Sequence, residues 1–141
     1  MKKTYLFFLL AVLFTFSACG DDEAENENKM EVTATMKYNS GDEYLPDNGA
    51  SLYIFKNFTD YINYEYIGNG VYQHITNGSK VNYTQKAIAN NDGVASMMVD
   101  YGQYSLVVWE SAHIVGKYGQ NIYEIEEGLS SIDIWEIYFE Q

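Results

Sequence analysis

Apolar and polar residues alternate with a period of two from Met30 to Tyr38: Met30, Val32, Ala34, Met36 and Tyr38 interleave with Glu31, Thr33, Thr35 and Lys37. Successive strand side chains point to opposite faces, so this run reads as a half-buried strand. A polar loop, Asn39 to Gly49, holds the only proline, Pro46, and Ala50 to Lys56 predicts a second strand. Asn57 to Ser79 is the least regular stretch. Within it Tyr61 to Ile67 alternates poorly but is rich in strand formers, Gly68-Asn69-Gly70 is a turn, and Val71 to Thr76 pairs back as a hairpin. After the tight-turn pair Asn77-Gly78, further strands are predicted over Lys80 to Ala89, Val94 to Asp100, Gln103 to Glu110, Gln120 to Glu126 and Ser130 to Glu140. In the last of these the apolar phase is even at Ile132 and Ile134, then odd at Trp135, Ile137 and Phe139, which predicts a β-bulge. Beyond the first residues no window sustains a 3.6-residue period. Short strands between Gly/Asn turns indicate an all-β sandwich or barrel.

The chain starts differently. Lys2 and Lys3 precede an apolar run, Tyr5 to Phe16, interrupted only by Thr15. The run is short of the roughly 20 residues a bilayer-spanning helix needs, and reads as a targeting segment over 1–18. Phe16-Ser17-Ala18-Cys19 resembles the bacterial lipobox, although that pattern prefers Leu where Phe16 stands. The resemblance implies cleavage before Cys19 and acylation of its thiol. Cys19 is the only cysteine, so no intramolecular disulfide can form. Several acyl chains, at roughly 0.8 kcal/mol per buried methylene, give durable attachment. Residues 19–29 are acidic and lack large apolar side chains, which predicts a flexible tether before a domain over 30–141. Asp21-Asp22-Glu23 resembles the surface-export signal of Bacteroidetes lipoproteins, implying an outer-membrane, cell-surface location; a plain solvated spacer, facing the periplasm, is the competing reading.

Charge narrows the partners. The eight cations are all lysines, two of which leave with the targeting segment, so six face twenty acids. Such a surface repels phosphate backbones and excludes nucleic acid as a partner.

The run Asn91-Asp92-Gly93, Val94 to Val99, then Tyr101-Gly102-Gln103-Tyr104-Ser105-Leu106-Val107-Val108 resembles the signature of transthyretin-like (prealbumin-like) domains, including the carboxypeptidase regulatory-like modules. Ala50 to Phe55 fits their opening strand. The match covers about half of the chain after Cys19. It implies a seven- to nine-stranded transthyretin-like or immunoglobulin-like β-sandwich, with Tyr104, Leu106 and Val108 on the core face and 57–79 as an elaboration. Such domains are often accessory, and the matching motif carries no catalytic residue. Relatives that hydrolyse 5-hydroxyisourate use a His/Arg constellation, and this chain has no arginine.

Candidate chemistry is sparse. His74 and His113 are the only histidines, in neither an H-E-x-x-H motif nor a G-x-S-x-G elbow context. No catalytic, metal or cofactor site is assigned. Whether calcium binds the loop holding Asp42, Glu43, Asp47 and Asn48 stays open, since Asp and Asn are also routine turn residues. Tyrosine is the most unusual feature, fourteen in all. Tyr61, Tyr64, Tyr66 and Tyr72 are the candidate binding residues, because tyrosine offers a flat face and a hydroxyl at low entropic cost; a half-exposed strand face would explain them as well. The sequence therefore predicts a lipid-anchored, non-enzymatic module that presents this segment to an envelope protein. A carbohydrate-binding accessory role, with Trp109 and Trp135 as further candidates, is the alternative, and a small hydrolase the last.

Overall fold

A computed structural model describes residues 28–129 and 131–141. The targeting segment, Cys19 and most of the acidic tether lie outside the described residues. Among the described residues eleven strands follow in order: β1 (Lys29–Asn39), β2 (Tyr44–Pro46), β3 (Ser51–Lys56), β4 (Tyr64–Tyr66), β5 (Val71–His74), β6 (Lys80–Asn82), β7 (Gln85–Ile88), β8 (Val94–Asp100), β9 (Gln103–Glu110), β10 (Tyr118–Ile125) and β11 (Ser131–Phe139). A 3-10 turn, Tyr61–Asn63, precedes β4.

The strands form three sheets. In the first, β1 pairs in parallel with β11 on one side and antiparallel with β8 and β2 on the other. The second is ordered β10-β9-β3-β7 and the third β4-β5-β6. The two four-stranded sheets make the sandwich that the alternation predicts. Between them lies a largely aliphatic core built from Met30, Val32, Ala34 and Met36 of β1, Leu52 and Ile54 of β3, Val107, Ile125 and Ile134, closed at one end by Phe139.

The third sheet covers the other face of the second. Tyr53 and Phe55 of β3 and Leu106 and Val108 of β9 meet Tyr66 and Tyr72 there, in a separate aromatic core. The middle sheet is therefore buried on both faces. This is why Leu52, Tyr53, Ile54 and Phe55 are all inaccessible. Full burial of one such side chain contributes roughly 1.5–3 kcal/mol, and the near-perpendicular Phe55–Tyr72 pair, 5.1 Å between centroids, adds a favourable edge-to-face contact.

Four expectations change. The loop predicted over Asn39 to Gly49 holds a short strand, β2, that pairs back on the end of β1. Lys80 to Ala89 is two strands in different sheets. At Tyr83-Thr84 the chain crosses from the third sheet to the second, with Tyr83 N–H donating to Gly70 O and Thr84 N–H to Ile54 O. Tyr61 to Ile67 begins as the 3-10 turn, and strand geometry starts only at Tyr64. Tyr104 is half exposed while Leu106 and Val108 are buried, because β9 reaches past the cover of the third sheet at that end. The bulge is present: Ala34 pairs with Ile134 and Met36 with Ile137, so two steps on β1 span three on β11.

Candidate functional site

The tyrosine segment builds the aromatic core instead of an outward platform. Tyr72 is 1 % and Tyr66 8 % exposed, and Tyr61 and Tyr64 pack half-buried against them. Phe58 stands at 82° to Tyr64 and lies 5.3 Å from Tyr72. Tyr66 Oη donates to Glu110 Oε2 at 2.8 Å and accepts the N–H of Gly70 at 2.9 Å. The Tyr72 hydroxyl donates to Gln120 Oε1. The large apolar side chains this segment exposes are isoleucines, Ile62 at 80 %, Ile75 at 69 % and Ile67 at 45 %, beside polar groups such as Glu65 and Asn69. The burial of Tyr66 and Tyr72 has a physical reason. A strand covering a second sheet needs one apolar face, and in β4 and β5 tyrosine supplies it while its hydroxyl finds a partner at the rim.

Burial pushes the Tyr66 hydroxyl well above its ordinary ionisation range; the Gly70 N–H opposes the rise and Glu110 adds to it. Burial raises Tyr72 too, with Tyr118 and Tyr61 contributing. Both groups ionise more easily unfolded, near pH ~10. Their contribution to stability is thus complete below that pH and is lost as pH rises towards the folded values. Alkaline titration should therefore show a cooperative loss of β-sheet circular dichroism coupled to a late tyrosinate absorbance step, with Tyr72→Phe moving the transition to higher pH. Smooth titration of every tyrosine near pH ~10 with the sheet signal unchanged would refute the buried placement.

The loop acids divide. Asp47 is fully buried and Asp42, Glu43 and Asn48 are exposed. Asp47 reaches across to residues 111–113. Its Oδ1 accepts the N–H of Ala112 at 3.1 Å and lies 2.7 Å from His113 Nδ1, and its Oδ2 accepts the Ser111 hydroxyl. Ser111 Oγ in turn accepts the N–H groups of His113 and Ile114, at 3.2 and 3.0 Å. The His113 ring stacks on Tyr38, 4.2 Å apart and 3° from parallel. Ser, His and Asp thus meet, but the serine bonds the aspartate and the backbone, not the imidazole. In catalytic triads the histidine bonds both. Here the group anchors the turn after β9. His74 anchors another turn, its Nδ1 accepting the N–H of Thr76 at 3.1 Å. Trp109 packs at the edge of the aliphatic core over Gly119. The Trp135 side chain lies outside the described residues.

The sequence reading missed a polar surface around the bulge. Thr33 and Thr35, alternating with buried Val32 and Ala34, point outwards from β1 and line a groove of about 620 Å³ with Asp133, Ile134 and Glu136. At its end Lys37 Nζ donates to Glu136 Oε1 at 2.6 Å, and the Tyr138 hydroxyl also donates to Glu136. Lys37 holds the Glu136 carboxyl below the usual range, helped by Tyr138, and Glu136 raises Lys37 and Tyr138 in return. Beyond it Glu140 accepts from Tyr44 and, at 2.9 Å, from Asn39, which lower its carboxyl. The Tyr44 and Tyr138 rings meet edge to face at 4.7 Å. The phase switch at Trp135 was the one available signal, since the bulge is what brings Glu136 beside Lys37.

No protein-family model and no curated protein matches this chain. Among solved structures it is similar to the Bacillus anthracis TIE protein, with a TM-score of 0.48 and 17% identity over 81% of this chain and 17% of that one. It is also similar to GBS52, the minor pilin of the gram-positive pathogen Streptococcus agalactiae, with a TM-score of 0.44 and 12% identity over 81% of this chain and 45% of that one. The chain spans less than half the length of either.

Proposed function

We propose that this chain is an exported lipoprotein of the Bacteroidetes type, held by acyl chains on Cys19 at the outer membrane and displayed on the cell surface. Its transthyretin-like sandwich is a non-enzymatic binding or assembly module for another envelope protein. The observation that carries the reading is the joining, in one chain, of an acylatable cysteine and a short acidic spacer to a framework in which Ser111, His113 and Asp47 serve as a loop anchor. Cys19→Ala should move the protein from the membrane fraction to the soluble fraction of the envelope; unchanged membrane retention would remove the anchor. In-cell cross-linking from several surface positions should then give one dominant protein adduct, and no adduct from any position would remove the assembly role.

Glycan binding is the second reading. It is favoured by the groove at Thr33 and Thr35, lined also by the Asp133 and Glu136 carboxylates, with the Tyr138 hydroxyl bonded to Glu136. A glycan array positive for the native chain and negative for Tyr138→Ala would select it.

A further inference from the structure

Among the described residues the sandwich is closed along one side and open along the other. On the closed side Gln85 of β7 bridges the sheets through a hydrogen bond from Nε2 to Met98 O in β8. On the open side β10 ends the middle sheet and β11 ends the first. Exposed edges invite pairing, and proteins blunt them with bulges, short strands or cover. β11 carries the bulge, and β2, β4 and β6 have three residues each. Among the described residues β10 has none of these devices: its eight residues pair with β9 in unbroken antiparallel register, Tyr118 with Glu110 through Ile125 with Gln103.

The outward groups of β10 can be assigned. In an antiparallel strand the N–H and C=O of one residue point to the same side, and the side alternates. Lys117 O and Ile125 O accept from Ser111 and Gly102 at the two ends of β9, so odd-numbered residues face β9. Gln120, Ile122 and Glu124 therefore face away. The Ile122 N–H donates to the side-chain Oδ1 of the preceding Asn121, at 3.0 Å, in place of a neighbouring strand.

The charge of this side selects the occupant. From Lys117 onwards the chain carries Glu124, Glu126, Glu127, Asp133, Glu136 and Glu140 against that single lysine. Glu124, Glu126 and Glu127 are exposed and gather at the end of β10, in a shallow groove with Gly102 and Tyr104. A second copy would bring this acidic side against itself.

We propose that the free edge of β10 is a docking site for an extended, lysine- or arginine-bearing segment of a partner protein, which adds as a fifth strand to the middle sheet. Main-chain hydrogen bonds to Gln120, Ile122 and Glu124 hold the segment, displacing the Asn121 side chain from the Ile122 N–H, and the acids at 124–127 fix its orientation. This rests on the assembly reading and assigns it a surface.

The test uses the whole chain in detergent and a synthetic peptide alternating lysine and valine. Peptide binding at low salt should slow amide hydrogen exchange at Gln120, Ile122 and Glu124 at least tenfold. The same peptide N-methylated on alternate residues, or with glutamate for lysine, should lose at least tenfold in affinity. So should Ile122→Pro, which removes an outward N–H that an edge strand can spare; the N-methylated peptide gives the same answer should that variant fold poorly. Failure of the lysine peptide to bind, equal binding of the N-methylated peptide, or protection appearing at 131–139 instead would overturn the site. A dimer of the chain alone that Ile122→Pro abolishes would overturn the partner in favour of a second copy. If these fail while in-cell cross-linking still yields one protein adduct from another face, the assembly role stands and only β10 is excluded; absence of any adduct refutes the assembly role itself.

Discussion

Gly93→Val is expected to lower the stability of the domain by roughly 3–5 kcal/mol, combining left-handed backbone strain with buried main-chain hydrogen bonds broken by a clash. Gly93 has φ +77°, and a Cβ there would stand 2.2 Å from the carbonyl oxygen of Met36 and 3.1 Å from the nitrogen of Asp47. Met36 ties the other two together through the main chain: its N–H donates to Gly93 O at 2.8 Å, and its carbonyl accepts the N–H of Asp47 at 2.9 Å. No side chain can step aside, because the obstruction is main chain. Gly102 is the control. Its φ of +81° is equally unusual, but nothing lies within 4 Å of its Cβ position. Gly102→Val should therefore cost only the strain, about 1–2 kcal/mol. Paired thermal melts check the contrast, and equal melting temperatures for the two variants would remove the close approach.

The second large effect is expected at Asp47. Asp47→Ala strips the acceptor from the Ser111 hydroxyl, the Ala112 N–H and the His113 ring together. Leaving such donors unsatisfied, with the aspartate's own charge-assisted bonds lost, should cost roughly 2–4 kcal/mol. Asp47→Asn keeps one acceptor oxygen and should fall between. His113→Ala removes one bond and the Tyr38 stack and should be milder than either. Urea denaturation orders the three, and hydrogen exchange at Ala112 reports the anchor directly. A slow Ala112 amide in Asp47→Ala would contradict the assignment.

The strands of the sandwich were legible because a half-buried strand writes itself as alternation. Met30 to Tyr38 and the bulge opposite it both followed from the phase of apolar residues. The third sheet was not legible, and the reason lies in β3 and β9. Leu52-Tyr53-Ile54-Phe55 has no polar phase, so the sequence shows a buried strand without showing what buries it. Tyrosine compounds this: in Tyr64 to Tyr72 the same side chain serves as core body and polar rim, and composition cannot separate that from a binding face. The Asp47 anchor was out of reach for another cause. Asp47 and Ser111–His113 sit in loops more than sixty residues apart, and only the fold brings them together.

Burial of the middle sheet on both faces alters what holds its strands in alignment. In a sheet with one wet face, sliding a strand by one residue is opposed by solvation, because apolar groups would surface and polar ones sink. Sliding β3 by one residue would instead exchange Tyr53 and Phe55 with Leu52 and Ile54, and every group would remain in an apolar setting. What forbids the slip is volume: rings would be forced into a space shaped for branched aliphatics, while the aromatic layer would be left with voids. Alignment in this domain is thus a matter of fit, and a repacked variant with one uniform side-chain size on both faces would fold compactly yet lose its unique pairing.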